Sequence, residues 1–329
     1  MGRFPPDAFC ATVRRRRGKG DGFRRPRGAF MTNDVKTLER DIVHRYRVEG
    51  GKGFRLSSVD PGDTAGPALA RQEARDMLRR GVERAAALQE RLYAEDRRSL
   101  LLIFQAMDAA GKDGTIKHVL SGVNPQGVTV TSFKHPEATA LSHDFLWRHV
   151  LALPERGRIG IHNRSWYEEV LTVRVHPEIL HAQKLPPDLL TPRIFDERLQ
   201  DIAGFERYLA RQGTVILKFF LHLSPDEQRR RLLARIDEPD KNWKFDMGDL
   251  TERLRWDDYM AAYEAAIRAT AAPHAPWYVV PADNKWFTRL VVAGAIVEAL
   301  EDLDLRFPAA DAETRAALMT ARAVLDGKE

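Results

Sequence analysis

One short stretch of the chain has the residue types and spacing of a phosphate-binding loop. The apolar run 100–104 leads into residues 106–114, which read Ala-Met-Asp-Ala-Ala-Gly-Lys-Asp-Gly. A buried strand that enters a glycine–lysine turn places backbone N–H groups and the positive end of a helix around phosphate. Lys112, directly after Gly111, would reach the outer phosphates of a polyphosphate chain. The stretch therefore predicts phosphoryl transfer.

The loop departs from the usual Gly-x4-Gly-Lys-Ser/Thr pattern in two places. Ala106 stands at the first glycine, and Asp113 stands where a hydroxyl is expected. A carboxylate beside phosphate repels it unless a cation lies between them. Asp108 and Asp113 therefore predict Mg²⁺, which binds carboxylate and phosphate oxygens together, with Mn²⁺ as the alternative metal. The plainer interpretation is a tight strand-to-helix turn with incidental charge.

A second polar cluster follows the apolar stretch 159–161 and consists of His162, Asn163, Arg164 and Ser165. A polar residue at the carboxyl end of such a strand can orient a metal near the phosphates. Asn163 stands where Asp is expected, so it can bind a metal-bound water but adds no charge. Arg164 could clamp phosphoryl oxygens with two hydrogen bonds, or it is simply a solvated charge.

Basic residues elsewhere suit an anionic substrate. The segment 229–255 is rich in Arg and Lys, and its centre lies in the break between two predicted helices. This is a good position for a mobile lid, with Lys244 and Arg253 at its hinge. Lys134 follows a predicted strand and Arg148 lies on the next predicted helix, so either could line an anionic channel.

Strands alternate with helices along the chain, which predicts an α/β fold with a parallel sheet covered on both faces. Helix starts are predicted at Thr191–Pro192, Ser224–Glu227 and Asp249–Glu252 from their capping patterns. The predicted strands are 100–104, 128–133, 158–162, 215–221 and 277–280. The predicted helices are 41–46, 68–94, 115–120, 138–151, 166–170, 191–212, 224–237, 249–271 and 286–303.

The composition argues against a protein that spans a membrane and against one held together by internal disulfides. The chain has 329 residues, of which 43% are hydrophobic, enough for a sizeable core. No apolar run approaches the roughly 20 residues that span a bilayer, so we expect no membrane contact. Cys10 is the single cysteine, which excludes an internal disulfide and fits a reducing, cytoplasmic location.

The net charge of +5 arises in residues 1–30, which hold nine Arg and Lys residues against two Asp residues. This segment is rich in Gly and Pro and has no periodicity, so we expect it to be disordered. Either Met31 is the natural start and the segment is not native, or it is a mobile basic arm for an anionic polymer.

Several of these segments together resemble the family-2 polyphosphate kinases. The resemblance is carried by residues 105–118, 121–127, 144–148, 153–157, 163–175 and 242–245. Residues 163–169 resemble the class III subgroup, which acts on both AMP and ADP. The resemblance implies a P-loop kinase-like, three-layer α/β/α fold with a helical lid, a requirement for Mg²⁺ and a homo-oligomer, commonly a tetramer.

The resemblance also implies roles for individual residues. Asp108 would hold the metal and help to orient the attacking nucleotide oxygen. The implied catalytic residues are Asp108, Lys112, Asn163 and Arg164. The implied phosphate- and nucleotide-binding residues are Ala109, Ala110, Gly111, Asp113 and Gly114. The cations expected in the polyphosphate channel or lid are Lys134, Arg148, Arg231, Arg235, Lys244 and Arg253.

Two positions depart from the family pattern, Ala106 for a glycine and His162 for an aromatic residue. We expect a helical segment, 31–98, packed on a kinase-like domain, 99–305, with a lid near 239–258 and a tail at 306–329.

The expected function is phosphoryl transfer from inorganic polyphosphate to AMP and ADP, giving ADP and ATP. One alternative is an ATP-dependent kinase of a nucleotide or small metabolite, because the fold does not name the donor. Another is a nucleic-acid-binding NTPase, which only the basic tail supports.

Overall fold

The computed structural model describes residues 38–65 and 71–327; the segment 1–30 discussed above lies outside them. Strands are β1 (Arg47–Val48), β2 (Ser99–Gln105), β3 (Val128–Ser132), β4 (Ile159–Asn163), β5 (Thr214–His222) and β6 (Trp277–Pro281). Helices are α1 (38–45), α2 (Arg71–Glu95), α3 (Lys112–Val119), α4 (Trp147–Val150), α5 (Thr172–Val175), α6 (Pro177–His181), α7 (Ile194–Arg211), α8 (Pro225–Asp237), α9 (Gly248–Arg253), α10 (Trp256–Thr270), α11 (Lys285–Glu301) and α12 (Ala312–Leu325).

The six strands form one sheet in the order β1-β6-β5-β2-β4-β3. Every neighbouring pair is parallel except β1 and β6, which are antiparallel. The predicted parallel α/β sheet is confirmed, and the short strand β1 was not predicted. Because the chain leaves β2 toward β3 on one side and later fills β5 and β6 on the other, a crevice opens at the carboxyl end of β2, where ligands bind in such sheets.

Strand β2 separates two apolar clusters, one on each face of the sheet. Leu100, Leu102 and Phe104 pack in a cluster with side chains of α2, α3 and α11. Leu101 and Ile103 pack on the opposite face with side chains of α7 and α10. All seven residues of β2 are buried, so the loop that follows it starts from a fixed point in the core.

The predicted helix 138–151 was wrong. A 3₁₀ turn, Ala140–Ser142, and the short helix α4 replace it. The Asp144 side chain accepts a hydrogen bond from the Leu146 N–H at 2.9 Å. A side chain that takes a backbone donor in this way competes with the helical hydrogen bond and interrupts the helix.

Capping patterns gave mixed results. At Ser224 the prediction is confirmed, since its hydroxyl accepts from the Glu227 N–H at 3.1 Å. Asp249 does not start a helix: α9 already begins at Gly248, and the Asp249 carboxylate accepts from Arg235 at 2.7 Å. Thr191 bonds the Arg193 N–H in a turn before α7 begins.

Among the helices of 38–65 and 71–327, none combines the length and the apolar character needed to cross a bilayer.

Candidate active site

The loop between β2 and α3 turns through two left-handed residues. Ala109 has φ 62° and Gly111 has φ 98°. Gly111 allows this conformation without the strain that a Cβ would add. Ala106, the position where the usual pattern has glycine, is not in the left-handed region, so its alanine adds no strain here. The loop reaches a phosphate-loop shape without the first glycine of the common pattern.

Helix α3 directs its N-terminus toward the loop. The first bond within it runs from the Thr115 N–H to the Gly111 carbonyl at 3.0 Å. The N–H groups of residues 112–114 precede it and have no acceptor in the helix. Together with the helix dipole, these donors form a place for an anion.

Lys112 folds back over the mouth of the loop, and its Nζ donates to the Ala106 carbonyl at 2.9 Å. The pKa of Lys112 is lowered to about 8, mainly by burial and also by the nearby Arg164, against the opposing effect of Asp108. The Lys112 ammonium thus keeps two N–H donors for an anion. Binding of an anion would raise the pKa of Lys112, because an added negative charge favours the protonated form.

Arg164 joins the two predicted loops. Its Nη2 donates to Asp108 Oδ1 at 2.8 Å and its Nη1 donates to Glu168 Oε2 at 3.0 Å. The Arg164 backbone is left-handed, with φ 64°, and its N–H donates to the Phe104 carbonyl at 3.0 Å. Paired mainly with Glu168 and also with Asp108, the guanidinium has its pKa raised above the ordinary value.

Glu168 is a site residue that the sequence analysis did not assign. Besides Arg164, its carboxylate accepts from Gln105 Nε2 at 2.8 Å and Thr172 Oγ1 at 2.7 Å. Burial alone would raise the pKa of Glu168, but Arg164 and these donors lower it below the ordinary value. The spacing of Arg164 and Glu168, four residues apart, was the available sequence signal.

Asn163 brings the end of β4 to the first turn of α3. Its Nδ2 donates to Asp113 Oδ1 at 2.7 Å and lies 3.4 Å from Ser132 Oγ at the end of β3. Asn163, which stands where a second Asp was expected, therefore binds the carboxylate of Asp113 in the first turn of α3.

The carboxylates fit a hard divalent cation. Asp108 and Asp113 each use one oxygen in the contacts above, which leaves Oδ2 of each for a metal. Within 38–65 and 71–327, no group of three or more His, Cys, Asp or Glu residues could hold a metal alone. Mg²⁺ is commonly bound through one or two carboxylates together with waters and substrate phosphates, so this donor set suits it.

Arg231 is buried behind the loop. Its Nη1 donates to the carbonyls of Ala109 at 3.1 Å and Ala110 at 2.8 Å, and its Nη2 donates to the Ala282 carbonyl at 2.7 Å. Its Nε donates to Glu227 Oε1 at 2.7 Å. These contacts fix the backbone of the loop, and direct contact with polyphosphate stays a prediction.

The predicted lid is connected to the loop through α8. Arg253 Nη1 donates to Gln228 Oε1 at 2.8 Å, and Gln228 Nε2 donates to the Asp108 carbonyl at 3.1 Å. Arg235 contacts both the Lys244 carbonyl and Asp249. Lys244 itself is exposed. The structure brings Arg253 into a path of contacts to the loop, whereas the Lys244 ammonium lies at the surface, 5.0 Å from the centre of the Trp243 ring.

Lys134 and Arg148 lie together beyond β3. Arg148 Nη1 donates to the Lys134 carbonyl at 2.7 Å, and its guanidinium lies 5.7 Å from the centre of the Phe133 ring. His162, the second departure from the family pattern, is fully buried and packs edge-on against the Phe133 and Trp166 rings. It therefore takes the place of an aromatic side chain.

Comparisons with known proteins agree on one family. The family model described as polyphosphate kinase 2 matches residues 68–308. An ADP-polyphosphate phosphotransferase of Rhodopseudomonas palustris is 54% identical over 289 residues, 88% of this chain and 98% of that protein. An AMP/ADP-polyphosphate phosphotransferase of Meiothermus ruber is 47% identical over 269 residues, 81% and 96% of the two chains. The crystal structure of polyphosphate kinase 2 from Arthrobacter aurescens superposes with a TM-score of 0.77 at 42% identity, covering 85% of this chain and 96% of that one.

Proposed function

Because the chain belongs to the polyphosphate kinase 2 family, we propose that it transfers the terminal phosphoryl group of inorganic polyphosphate to AMP and ADP, forming ADP and ATP. The observation that carries the proposal is the convergence of Lys112, Asp108 and Arg164 at the carboxyl end of β2. The relatives of Rhodopseudomonas palustris and Meiothermus ruber, whose names specify ADP and AMP/ADP, are matched over 98% and 96% of their lengths. Their names favour polyphosphate over ATP as the donor.

Positioning and charge neutralisation account for the catalysis. A phosphoryl group in transit carries spread negative charge and needs little covalent help. Lys112 and the N-terminus of α3 would bind the oxygens of the donor chain, and Arg164 would bind those of the transferred group. Because Arg164 is already held by Asp108 and Glu168, it needs little reorganisation when the substrate arrives.

Asp108, assisted by Asp113, would hold Mg²⁺ or Mn²⁺. When bound, the metal offsets the charge of two anions that must approach each other. The protein's own part is to hold the two carboxylates in place, which Arg164 does for Asp108 and Asn163 does for Asp113.

A donor assay tests the activity. The protein is incubated with Mg²⁺, AMP and polyphosphate without ATP, and nucleotides are separated by ion-exchange chromatography. We expect ADP first and then ATP. Formation of ADP only after ATP is supplied would instead identify an ATP-dependent kinase.

Two substitutions test the site. We expect Lys112→Ala and Asp108→Asn each to lower kcat by about 100-fold or more, the size typical for removing one transition-state contact. Lys117→Ala, which removes an exposed lysine from the same helix, is the matched control and should keep its activity. Near-normal turnover in either site variant, with unchanged circular dichroism, would refute the assignment.

We further propose that the protein acts as a homo-oligomer, a tetramer by family resemblance, in the cytoplasm. Helix α12 has no buried residue, and Leu318, Met319 and Leu325 are exposed on it. An isolated helix of 14 residues is marginal in water, which supports a second copy as its partner. Removing residues 306–329 should lower the number of subunits per particle, which light scattering gives as the particle mass divided by the mass of one shortened chain. An unchanged number of subunits would place the interface elsewhere.

A further inference from the structure

His176 lies at the junction of α5 and α6 and contacts the predicted lid. Its Nε2 is 3.0 Å from Glu252 Oε2 on α9, and its Nδ1 is 3.1 Å from Glu178 Oε1 on α6. The side chains of His176 and Glu252 are both half-buried. Because these two residues are 76 positions apart in the sequence, their contact joins α9 to a distant part of the chain.

Two carboxylates face one imidazole ring, and this arrangement requires the charged form of His176. An ionised carboxylate only accepts hydrogen bonds. A neutral imidazole donates from one nitrogen and presents a lone pair at the other, which would repel the second carboxylate. Imidazolium donates from both nitrogens, so it satisfies Glu178 and Glu252 together. The contacts therefore correspond to the protonated ring, and His gains or loses this proton near neutral pH.

The groups around the ring favour its charged form. Burial alone would lower the pKa of His176, but Glu252 and Glu178 raise it above the ordinary value. From α10, the Tyr259 hydroxyl donates to Glu252 Oε2 at 2.5 Å and holds this carboxylate in place. Arg255 places a positive charge near Glu178. The two carboxylates outweigh this cation, since the pKa of His176 is raised overall.

Both ends of this contact lead to the candidate active site. On α9, Glu252 is followed directly by Arg253, which is connected to the phosphate loop through Gln228. On the other side, α5 begins at Thr172, whose hydroxyl donates to the Glu168 carboxylate at 2.7 Å. The contact therefore closes a ring of interactions around the loop.

We propose that His176 is a positioning residue whose protonated ring latches α9, and with it the predicted lid, to the junction of α5 and α6, and whose deprotonation releases α9. The inference rests on the proposed function for the role of the lid in substrate binding, and it adds that one proton controls the lid. Because the folded protein raises the pKa of His176, the latch is complete below the ordinary value of 6.5 and is lost as pH rises through the raised value.

Hydrogen exchange of the free protein measures the latch directly. Exchange of peptides that cover residues 247–255 is followed from about pH 6 to about pH 9 and corrected for the intrinsic pH dependence of amide exchange. In the unaltered protein we expect protection to fall by about 2-fold to 5-fold across this range, the effect of one partly exposed ion pair. His176→Gln cannot carry the charge and should show the low protection at every pH.

Three further variants separate charge from packing. Glu252→Gln removes the partner charge on α9 and should resemble His176→Gln. His176→Arg carries a permanent charge, so it should remove the pH dependence and keep the protection high. His181→Gln is the matched control, because it alters an exposed histidine on the same helix, α6, and it should keep the unaltered profile.

NMR titration identifies the group that carries the proton. The imidazole signal of His176, assigned by its loss in His176→Gln, should titrate above 6.5 in the unaltered protein. In Glu252→Gln its midpoint should move down, because the partner charge is gone.

Steady-state kinetics at about pH 6 test the consequence for substrate binding. A released lid loses contacts made equally in the ground state and the transition state. His176→Gln should therefore raise KM for polyphosphate by about 2-fold to 5-fold with little change in kcat. Because the released protein still binds substrate, the effect is a limited step in KM.

The outcomes separate this inference from the proposed function. Protection of residues 247–255 that does not change with pH, or that is equal in His176→Gln and the unaltered protein, overturns the latch, and so does an equal KM for polyphosphate. Absence of phosphoryl transfer from polyphosphate overturns the proposed function instead. In that case exchange and NMR, both measured without substrate, still decide whether His176 holds α9.

Discussion

Arg164 shows what the fold does for a single catalytic candidate. Its left-handed backbone, with φ 64°, costs about 1–3 kcal/mol for a residue other than glycine. The surrounding contacts to Phe104, Asp108 and Glu168 stabilise this conformation. Arg164 was identified from its place after a strand, but Glu168 was not, because a spacing of four residues does not by itself show that a carboxylate is buried beside the loop.

The pH dependence should report Lys112. Burial lowers the pKa of Lys112 to about 8, and phosphate binding needs its protonated form. We therefore expect kcat/KM for polyphosphate to fall as pH rises through about 8, since this parameter follows the free enzyme. Lys112→Arg should remove this limb from the pH profile, because guanidinium does not titrate there. A limb that persists in Lys112→Arg would assign it to another group.

The same group affects stability with a defined sign. Between about 8 and the ordinary value of 10.5, the unfolded chain holds a proton on Lys112 that the folded chain has lost. The free energy of unfolding should thus rise with pH across this interval and be lowest below it. In Lys112→Met, urea unfolding should lose this part of the pH dependence.

At the scale of helices and strands, features that depend on neighbouring residues in the sequence were predicted well. Features that depend on contacts with other helices were not. The Ser224 cap depends on residues within one turn, so its prediction was confirmed. Asp249 has the same local pattern, but Arg235, on another helix, takes its carboxylate. The helix expected at 138–151 failed where Asp144 binds a backbone N–H. The loop itself was predictable because a fully buried strand and a left-handed glycine determine it.

Arg231 couples the phosphate loop to α8 and to the end of β6, and its removal should affect both stability and rate. Arg231→Ala leaves the Ala109 and Ala110 carbonyls without their donor. We expect a loss of about 3–5 kcal/mol in the free energy of unfolding, the cost of breaking a buried charged pair, and a lower kcat. Urea titration and steady-state kinetics measure the two effects.

Arg230 provides the control for Arg231. It pairs with the same Glu227 carboxylate but is 68% exposed. Arg230→Ala should change stability by less than about 1 kcal/mol. Equal losses in the two variants would mean that Glu227, rather than the loop carbonyls, explains the effect of Arg231.

In the part of the chain that the structure describes, an apolar cluster covers each face of the sheet, and a fully buried ion pair lies on the face that packs against α7. Lys218 of β5 donates to Glu206 of α7 at 2.5 Å, and to the Thr270 carbonyl at 2.8 Å. Both side chains of the pair are essentially unexposed. The sequence predicted a buried strand at 215–221 that contains Lys218, but it could not reveal the partner, since only the packing of α7 on the sheet brings it close.

Substitutions of this pair should be strongly non-additive. Lys218→Met and Glu206→Leu each leave one charge buried alone, so each should cost about 3–5 kcal/mol. The double variant should lose less than the sum of the two, because neither charge remains. Urea unfolding of the four proteins measures the coupling. Additive losses would show that the pair contributes no mutual stabilisation, and polyphosphate kinase activity in the folded variants should be unaffected.

The antiparallel strand β1 has a practical consequence. Arg47 and Val48 pair with Tyr278 and Trp277, so this short segment covers the exposed border of β6. A shortened chain comprising residues 68–308, the part that matches the family model, would keep the catalytic loop yet leave that border bare. Unpaired strand borders recruit other chains. Such a fragment would be prone to aggregate through this border, so the short strand at residues 47 and 48 protects the folded chain against pairing with other chains.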